Sequence, residues 1–128
     1  MKYMCIAYEE EQKLNALSQA EWQALRRETL DYVEALRQSG RLIDARPLRS
    51  ATTASTVRVR NGKVAVTDGP FAETKEQLMG LYVVDCATLE DAVAVAERLA
   101  FDTGVFEIRP TTWLDPGGLP AKMPPPPK

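Results

Sequence analysis

Residues 66–76 read VTDGPFAETKE, a stretch that combines turn residues, charged side chains and a lone aromatic ring. Strand-like runs lead into this stretch and out of it. Asp68-Gly69-Pro70 is a turn signal, because Gly tolerates a positive φ and Pro fixes φ near about −65°. The rest of the chain can be arranged around this turn.

The clearest local pattern is a β-hairpin directly before the turn. Two strand-like runs, residues 57–60 (VRVR) and 63–66 (KVAV), flank Asn61-Gly62, a pair that favours a two-residue type I′ turn. That register places Val57, Val59, Val64 and Val66 on one face and the basic side chains of Arg58, Arg60 and Lys63 on the other. The basic face could attract an anionic ligand or an acidic partner, and a solvated face is the alternative. Binding to nucleic acid is not expected, because no aromatic platform alternates with the charges.

Hydrophobic periodicity predicts four further strands and two helices. The predicted strands span residues 2–8, 42–48, 80–85 and 105–113, and the predicted helices begin at Ser18 and Thr88 and end near Ser39 and Ala100. Ser18 with Glu21 forms a capping-box pattern at the first helix, and Pro47 favours an edge position for its strand. Residues 9–14 are predicted as a polar loop, and Val93, Ala96 and Leu99 as inward positions of the second helix.

The order of these elements predicts an α+β fold. It is that of a ferredoxin-like split βαβ fold with an inserted β-hairpin, an antiparallel sheet and two helices on one face. We expect one domain over residues 1–113. Residues 114–128 are rich in Pro and Gly and are expected to form a proline-rich flexible tail.

Two strands of this sheet are apolar on both faces. Residues 3–8 (YMCIAY) and 81–84 (LYVV) show no alternation with polar side chains, although two helices cover only one face. The simplest way to bury the other apolar face is to pack a second copy of the chain against it. The sequence therefore predicts a homodimer in which two sheets pack face to face.

Composition narrows the classes of function. A net charge of −2 argues against a protein that binds phosphate groups, such as those of nucleic acids. The apolar runs are too short for a membrane span or a signal peptide, so a cytoplasmic location is expected. The chain contains no histidine, which removes the usual general base and the commonest metal ligand. Neither a metal nor a cofactor is predicted. Cys5 and Cys86 are expected to be buried, reduced thiols.

Three segments carry a resemblance to a known family. Residues 3–8 (YMCIAY), 56–60 (TVRVR) and above all 66–78 (VTDGPFAETKEQL) are similar to the YCII-related (DGPF) family, over about residues 1–113. The resemblance implies a dimeric α+β barrel. Some relatives resemble small enzymes that act on chlorinated aromatic compounds through a His–Asp pair, and this chain has no histidine for such a pair. Other members of the DGPF branch lie beside, or are fused to, extracytoplasmic-function sigma factors, which implies an accessory or sensing role and an association with a sigma factor.

The candidate ligand-binding residues surround the central turn. They are Tyr8, Asp68, Phe71, Glu73, Lys75 and Tyr82. Asp68 is the best candidate for a ligand anchor or general base, and an Asx turn is the alternative. Lys75 would stay protonated between two carboxylates and hold an anion, with solvated loop charges as the alternative. Tyr8 is expected in the cleft between sheet and helix or at an amphipathic core edge, and Phe71 as a substrate stacker or a plug that pins the loop.

Two functions follow from this reading. The first is a non-catalytic dimer that binds a small anionic or aromatic ligand, or serves as a transcription-associated accessory protein. The second is a cofactor-independent lyase or hydrolase of small acids, aromatic acids among them, with Asp68 or Glu73 as its base.

Overall fold

The structure, a computed structural model, describes residues 1–101 and 104–111. Within these residues six strands, three α-helices and one short 3-10 helix form an α+β architecture. In chain order they are β1 (Lys2–Glu9), α1 (Glu11–Asn15), α2 (Gln19–Gln38), β2 (Leu42–Pro47), the 3-10 helix (Ala51–Thr53), β3 (Ser55–Arg60), β4 (Lys63–Asp68), β5 (Gln77–Asp85), α3 (Leu89–Leu99) and β6 (Gly104–Pro110).

Four of the strands form the main sheet, in the order β2-β5-β1-β6. All three pairings are antiparallel. With the hairpin left out, this order is that of the split βαβ fold, so the predicted fold class is confirmed. β2 lies at an edge of the sheet, so one of its sides has no partner strand. Pro47, which has no N–H to donate to a neighbouring strand, is tolerated at such an edge.

The inserted hairpin forms a separate two-stranded sheet of β3 and β4. Val59 pairs with Val64 and Val57 with Val66, as the sequence predicts. Asn61 (φ 52°) and Gly62 (φ 75°) both have the positive φ that a type I′ turn requires. The four valines are 61–66% exposed, so their shared face packs on no other element among residues 1–101 and 104–111.

Helices α2 and α3 pack on one face of the main sheet. The capping box at Ser18 is present in full, since its hydroxyl accepts the Glu21 N–H at 3.1 Å and Glu21 Oε1 accepts the Ser18 N–H at 3.0 Å. The core between helices and sheet consists of Tyr3, Cys5, Leu36, Val84, Cys86, Ala92, Val95 and Leu99. The Arg98 guanidinium lies 4.4 Å from the centre of the Tyr32 ring and ties α3 to α2.

Some predicted boundaries are wrong. Residues 9–14 are not a loop, because Glu9 ends β1 and α1 begins at Glu11. Val93 is not an inward position, since it is 38% exposed, whereas Ala96 and Leu99 are buried as expected. Trp113 and the predicted tail, residues 114–128, lie outside the described residues. Within the described part of the chain, no helix is long and apolar enough to cross a membrane.

The second face of the main sheet is reached by neither α2 nor α3. Its centre is apolar and half-buried, with Met4 opposite Val83 and Ile6 opposite Leu81. An ion pair borders it on each edge strand: Asp44–Arg46 at 3.4 Å on β2 and Glu107–Arg109 at 3.4 Å on β6. We call this surface the uncovered face. It combines an apolar centre with a charged rim, which is the layout of a protein–protein interface.

The helix-side core provides the first testable prediction. Leu99→Ala, at a position only 3% exposed, should lower the free energy of unfolding by about 2–5 kcal/mol, because it removes buried methyl groups and leaves a cavity. Leu89→Ala on the same helix is the matched control, since Leu89 is 47% exposed. Urea unfolding followed by circular dichroism measures both. Equal losses for the two variants would contradict this assignment of the core.

Candidate functional site

The loop that follows β4 is fixed at its start by backbone hydrogen bonds. Gly69 has φ 97°, as the turn signal requires. Its N–H donates to the Ala54 carbonyl at 2.7 Å, and Thr56 Oγ1 donates to the Gly69 carbonyl at 2.7 Å. The root of the hairpin therefore sets the direction in which the loop leaves.

The predicted anchor Asp68 lies at the end of β4, opposite Ser55, with its side chain exposed. Asp68 cannot form an ordinary Asx turn, in which its carboxylate would accept a hydrogen bond from the N–H of residue 70, because Pro70 has no N–H. Glu73 is also exposed. Neither carboxylate is in the desolvated setting that a carboxylate general base usually needs.

Phe71 is 78% exposed, so it does not act as a plug within one copy of the chain. Its carbonyl oxygen accepts a hydrogen bond from Arg58 Nη2 at 3.2 Å. Gln77, a residue that the sequence analysis did not single out, closes the other end of the loop. Its Nε2 donates to the carbonyl oxygens of Ala72 and Thr74, each at 3.1 Å.

This loop forms one wall of a concave cavity of about 480 Å³ that is open to solvent. The lining residues are Tyr8, Thr74, Lys75, Glu76 and Val105. Tyr8 and Val105 are paired across β1 and β6, and Leu78 of β5 pairs with Tyr8 from the other side. The cavity thus lies at the end of the uncovered face, where the sheet supplies an apolar floor and the loop supplies polar groups.

Lys75 is held in place by a carboxylate outside its own loop. Its Nζ lies 3.3 Å from Glu10 Oε1, while Lys13 Nζ lies 3.1 Å from Glu10 Oε2. Burial alone would raise the pKa of Glu10, but the hydrogen bonds and charges of Lys13 and Lys75 outweigh it and lower the pKa below its ordinary value. Glu10 therefore stays ionised and keeps an ammonium group at the cavity.

The structure separates the two candidate tyrosines. Tyr82 pairs with Cys5 on the helix-covered face, where its ring centre lies 6.2 Å from that of Phe106. Burial, and secondly the charge of Glu9, raise the pKa of Tyr82. Tyr8 follows Met4 and Ile6 on the uncovered face, so it does not lie in the cleft between sheet and helices. Of the six candidates, Tyr8 and Lys75 line the cavity.

A buried acid escaped the sequence analysis. Glu9 is only 5% exposed, in phase with Tyr3, Cys5 and Ala7 on the helix-covered face. A Cβ on Gly104 would collide with the Tyr8 carbonyl oxygen and the Glu9 carboxylate, so only glycine fits there. The alternation of β1, continued by one residue, would have placed Glu9 in the sheet.

The two cysteines are free and buried. Burial, with a smaller contribution from Cys86, raises the pKa of Cys5 to about 11, so its thiol is protonated and unreactive. Arg41 Nη2 lies 3.7 Å from Cys86 Sγ. Among residues 1–101 and 104–111, no three His, Cys, Asp or Glu side chains are grouped so as to hold a metal ion.

Two comparisons with known proteins give matches that cover most of the chain. A family model described as the YCII-related domain matches residues 1–113. An uncharacterised protein of Rhizobium meliloti (strain 1021) is 37% identical over 124 residues, which covers 94% of this chain and 100% of that protein.

The Glu10 ion pairs provide a pH-dependent prediction. Because the folded-state pKa is lowered, their stabilisation is present above the unfolded-state pKa of Glu10 and is lost as the pH falls through the folded-state value. Lys75→Met should raise the pKa of Glu10, measured from its carboxyl carbon by NMR titration. Lys63→Met, on the hairpin, should leave it unchanged. The same pKa in all three proteins would show that Lys75 is not held by Glu10 in solution.

Proposed function

The chain belongs to the family of YCII-related domains, and from that premise we propose that it is a homodimer that binds a small anionic, aromatic ligand. The observation that carries the proposal is the position of the cavity. It opens at the end of the uncovered face, where Tyr8 continues the row of Met4 and Ile6 and also lines the cavity.

The homodimer is supported by the arrangement of charge and apolar surface on the uncovered face. An antiparallel sheet with one face in water normally carries polar side chains there. Here Met4, Ile6, Leu81 and Val83 occupy the centre, and charged pairs are confined to the two edge strands. A second copy placed face to face would bury the apolar centre and leave the ion pairs at the rim.

The same assembly would complete the cavity. Its volume of about 480 Å³ falls within the roughly 300–1,000 Å³ of small-molecule sites, but in one copy it is open on one side. A partner across the uncovered face would limit access of water from that side. Exclusion of water strengthens the attraction between a cationic group and an anionic ligand.

The ligand class follows from the lining. Tyr8 and Val105 offer an apolar surface suited to a ring, and the ammonium of Lys75 suits a carboxylate. Glu76 at the same cavity disfavours a second negative charge on the ligand. A mono-anionic aromatic acid satisfies all of these groups.

Binding is favoured over catalysis by the placement of the two proposed bases. Asp68 and Glu73 are exposed, and neither lines the cavity. A general base has to lie within hydrogen-bond reach of the proton that it removes from a bound ligand. Lys75 and Tyr8 are therefore assigned to ligand binding, and Asp68 has no role as a base.

Assembly is tested by sedimentation equilibrium at micromolar concentrations, where the wild-type protein should be a dimer. Leu81→Lys places a charge at the centre of the uncovered face, beside Arg46 on the neighbouring strand, and should raise the dimer dissociation constant about tenfold or more. Leu30→Lys on α2 is the control, because Leu30 is 53% exposed. A wild-type protein that stays monomeric would refute the homodimer.

Ligand binding is tested by NMR titration with benzoate and with its neutral analogue benzamide. Benzoate should shift signals of Tyr8, Lys75 and Val105, and Lys75→Met should weaken its binding roughly tenfold, as expected for loss of one charge-assisted hydrogen bond. The variant should leave benzamide binding unchanged, and Lys63→Met should alter neither ligand. Saturable shifts confined to other surfaces, or none from any aromatic carboxylate in a panel, would contradict the site.

A further inference from the structure

The hairpin of β3 and β4 presents an apolar surface on which no other described element of the chain packs. Its valine face consists of Val57, Val59, Val64 and Val66, each more than 60% exposed. The opposite face carries Arg58, Arg60 and Lys63, which are also exposed. An isolated two-stranded hairpin is marginally stable in water and normally needs a third surface to pack on.

From this geometry we propose that the hairpin is a dimerisation arm, whose valine face packs against a second copy of the same chain. The inference rests on the homodimer proposed above and adds a second contact to it. The arm is six residues long on each strand, or about 20 Å.

The position of the root of the arm supports a second copy of the chain as the partner of the valine face. The hydrogen bonds of Gly69 to Ala54 and Thr56 fix the root at the start of the loop that lines the cavity. That cavity lies at the Tyr8 end of the uncovered face. The arm therefore leaves the domain next to the surface on which the second copy is proposed to lie.

The surface area that a stable dimer has to bury also supports a contact through the arm. The apolar centre of the uncovered face is only two strands wide, β1 and β5, which gives a footprint of about 10 Å by 20 Å. A specific interface commonly buries about 800 Å² on each partner. The valine face is also two strands wide and of similar length, so its contact doubles the apolar footprint.

The chemistry of the two hairpin faces decides which of them contacts the second copy. Arg60 and Lys63 are paired across the strands and lie next to Arg58, so that face repels itself and stays in water. The valine face carries no charge and consists of β-branched side chains, which pack well on a pleated apolar surface. The partner contact is therefore assigned to the valines.

The test is a comparison of dimer dissociation constants. Replacing all four valines by Thr keeps the shape and the strand preference but adds four hydroxyl groups to the interface. The dissociation constant from sedimentation equilibrium should rise about tenfold or more. A variant with Arg58, Arg60 and Lys63 replaced by Thr is the matched control on the other face, and its dissociation constant should stay within about twofold of the wild type.

Photo-cross-linking of an otherwise unchanged chain keeps the proposal testable if the four-Thr variant does not fold. A benzophenone side chain in place of Val64 should yield covalent dimers on irradiation, and one in place of Arg60 should not. A wild-type dimer whose dissociation constant is unaffected by the four Thr substitutions, with no cross-link from position 64, would overturn the arm and leave the homodimer standing. A wild-type monomer would overturn both.

Discussion

The whole arrangement depends on β1, a central strand with two apolar faces. Tyr3, Cys5 and Ala7 point to the helices and are buried, whereas Met4, Ile6 and Tyr8 point to the uncovered face. Because successive side chains of a strand alternate, one set of six residues builds both the core of the domain and the surface on which a second copy is proposed to pack. A shift of one residue in the pairing of β1 would exchange the two sets.

The cavity is a consequence of where β1 ends. Tyr8 and Glu10 lie only two positions apart in the chain, yet one forms the apolar floor and the other holds Lys75 at the rim. The loop after the hairpin completes the site, since Gly69 fixes its start and Gln77 closes its end. The site thus joins the first strand to the central turn, more than sixty positions apart in the sequence.

Local chemistry made much of the fold predictable. Asn61-Gly62 set the hairpin register, and Ser18 with Glu21 marked the start of α2, because both signals act within a few residues. Which residues form the candidate site depends instead on how distant strands pair with one another. Tyr8 and Tyr82 looked equivalent as strand aromatics, but the pairing of Cys5 with Tyr82 places them on opposite faces. Asp68 carried the strongest local signal and lies outside the cavity, since that signal reported the turn rather than the site.

The central claim is that the uncovered face is buried by a twin molecule. Its most direct test is a mixed NMR sample in which one half of the chains carries ¹³C-labelled methyl groups and the other half is unlabelled. If a second copy buries this face, intermolecular nuclear Overhauser effects should connect the methyl groups of Met4, Ile6, Leu81 and Val83 to the unlabelled copy. A dimeric sample in which these methyl groups show only intramolecular effects would contradict it.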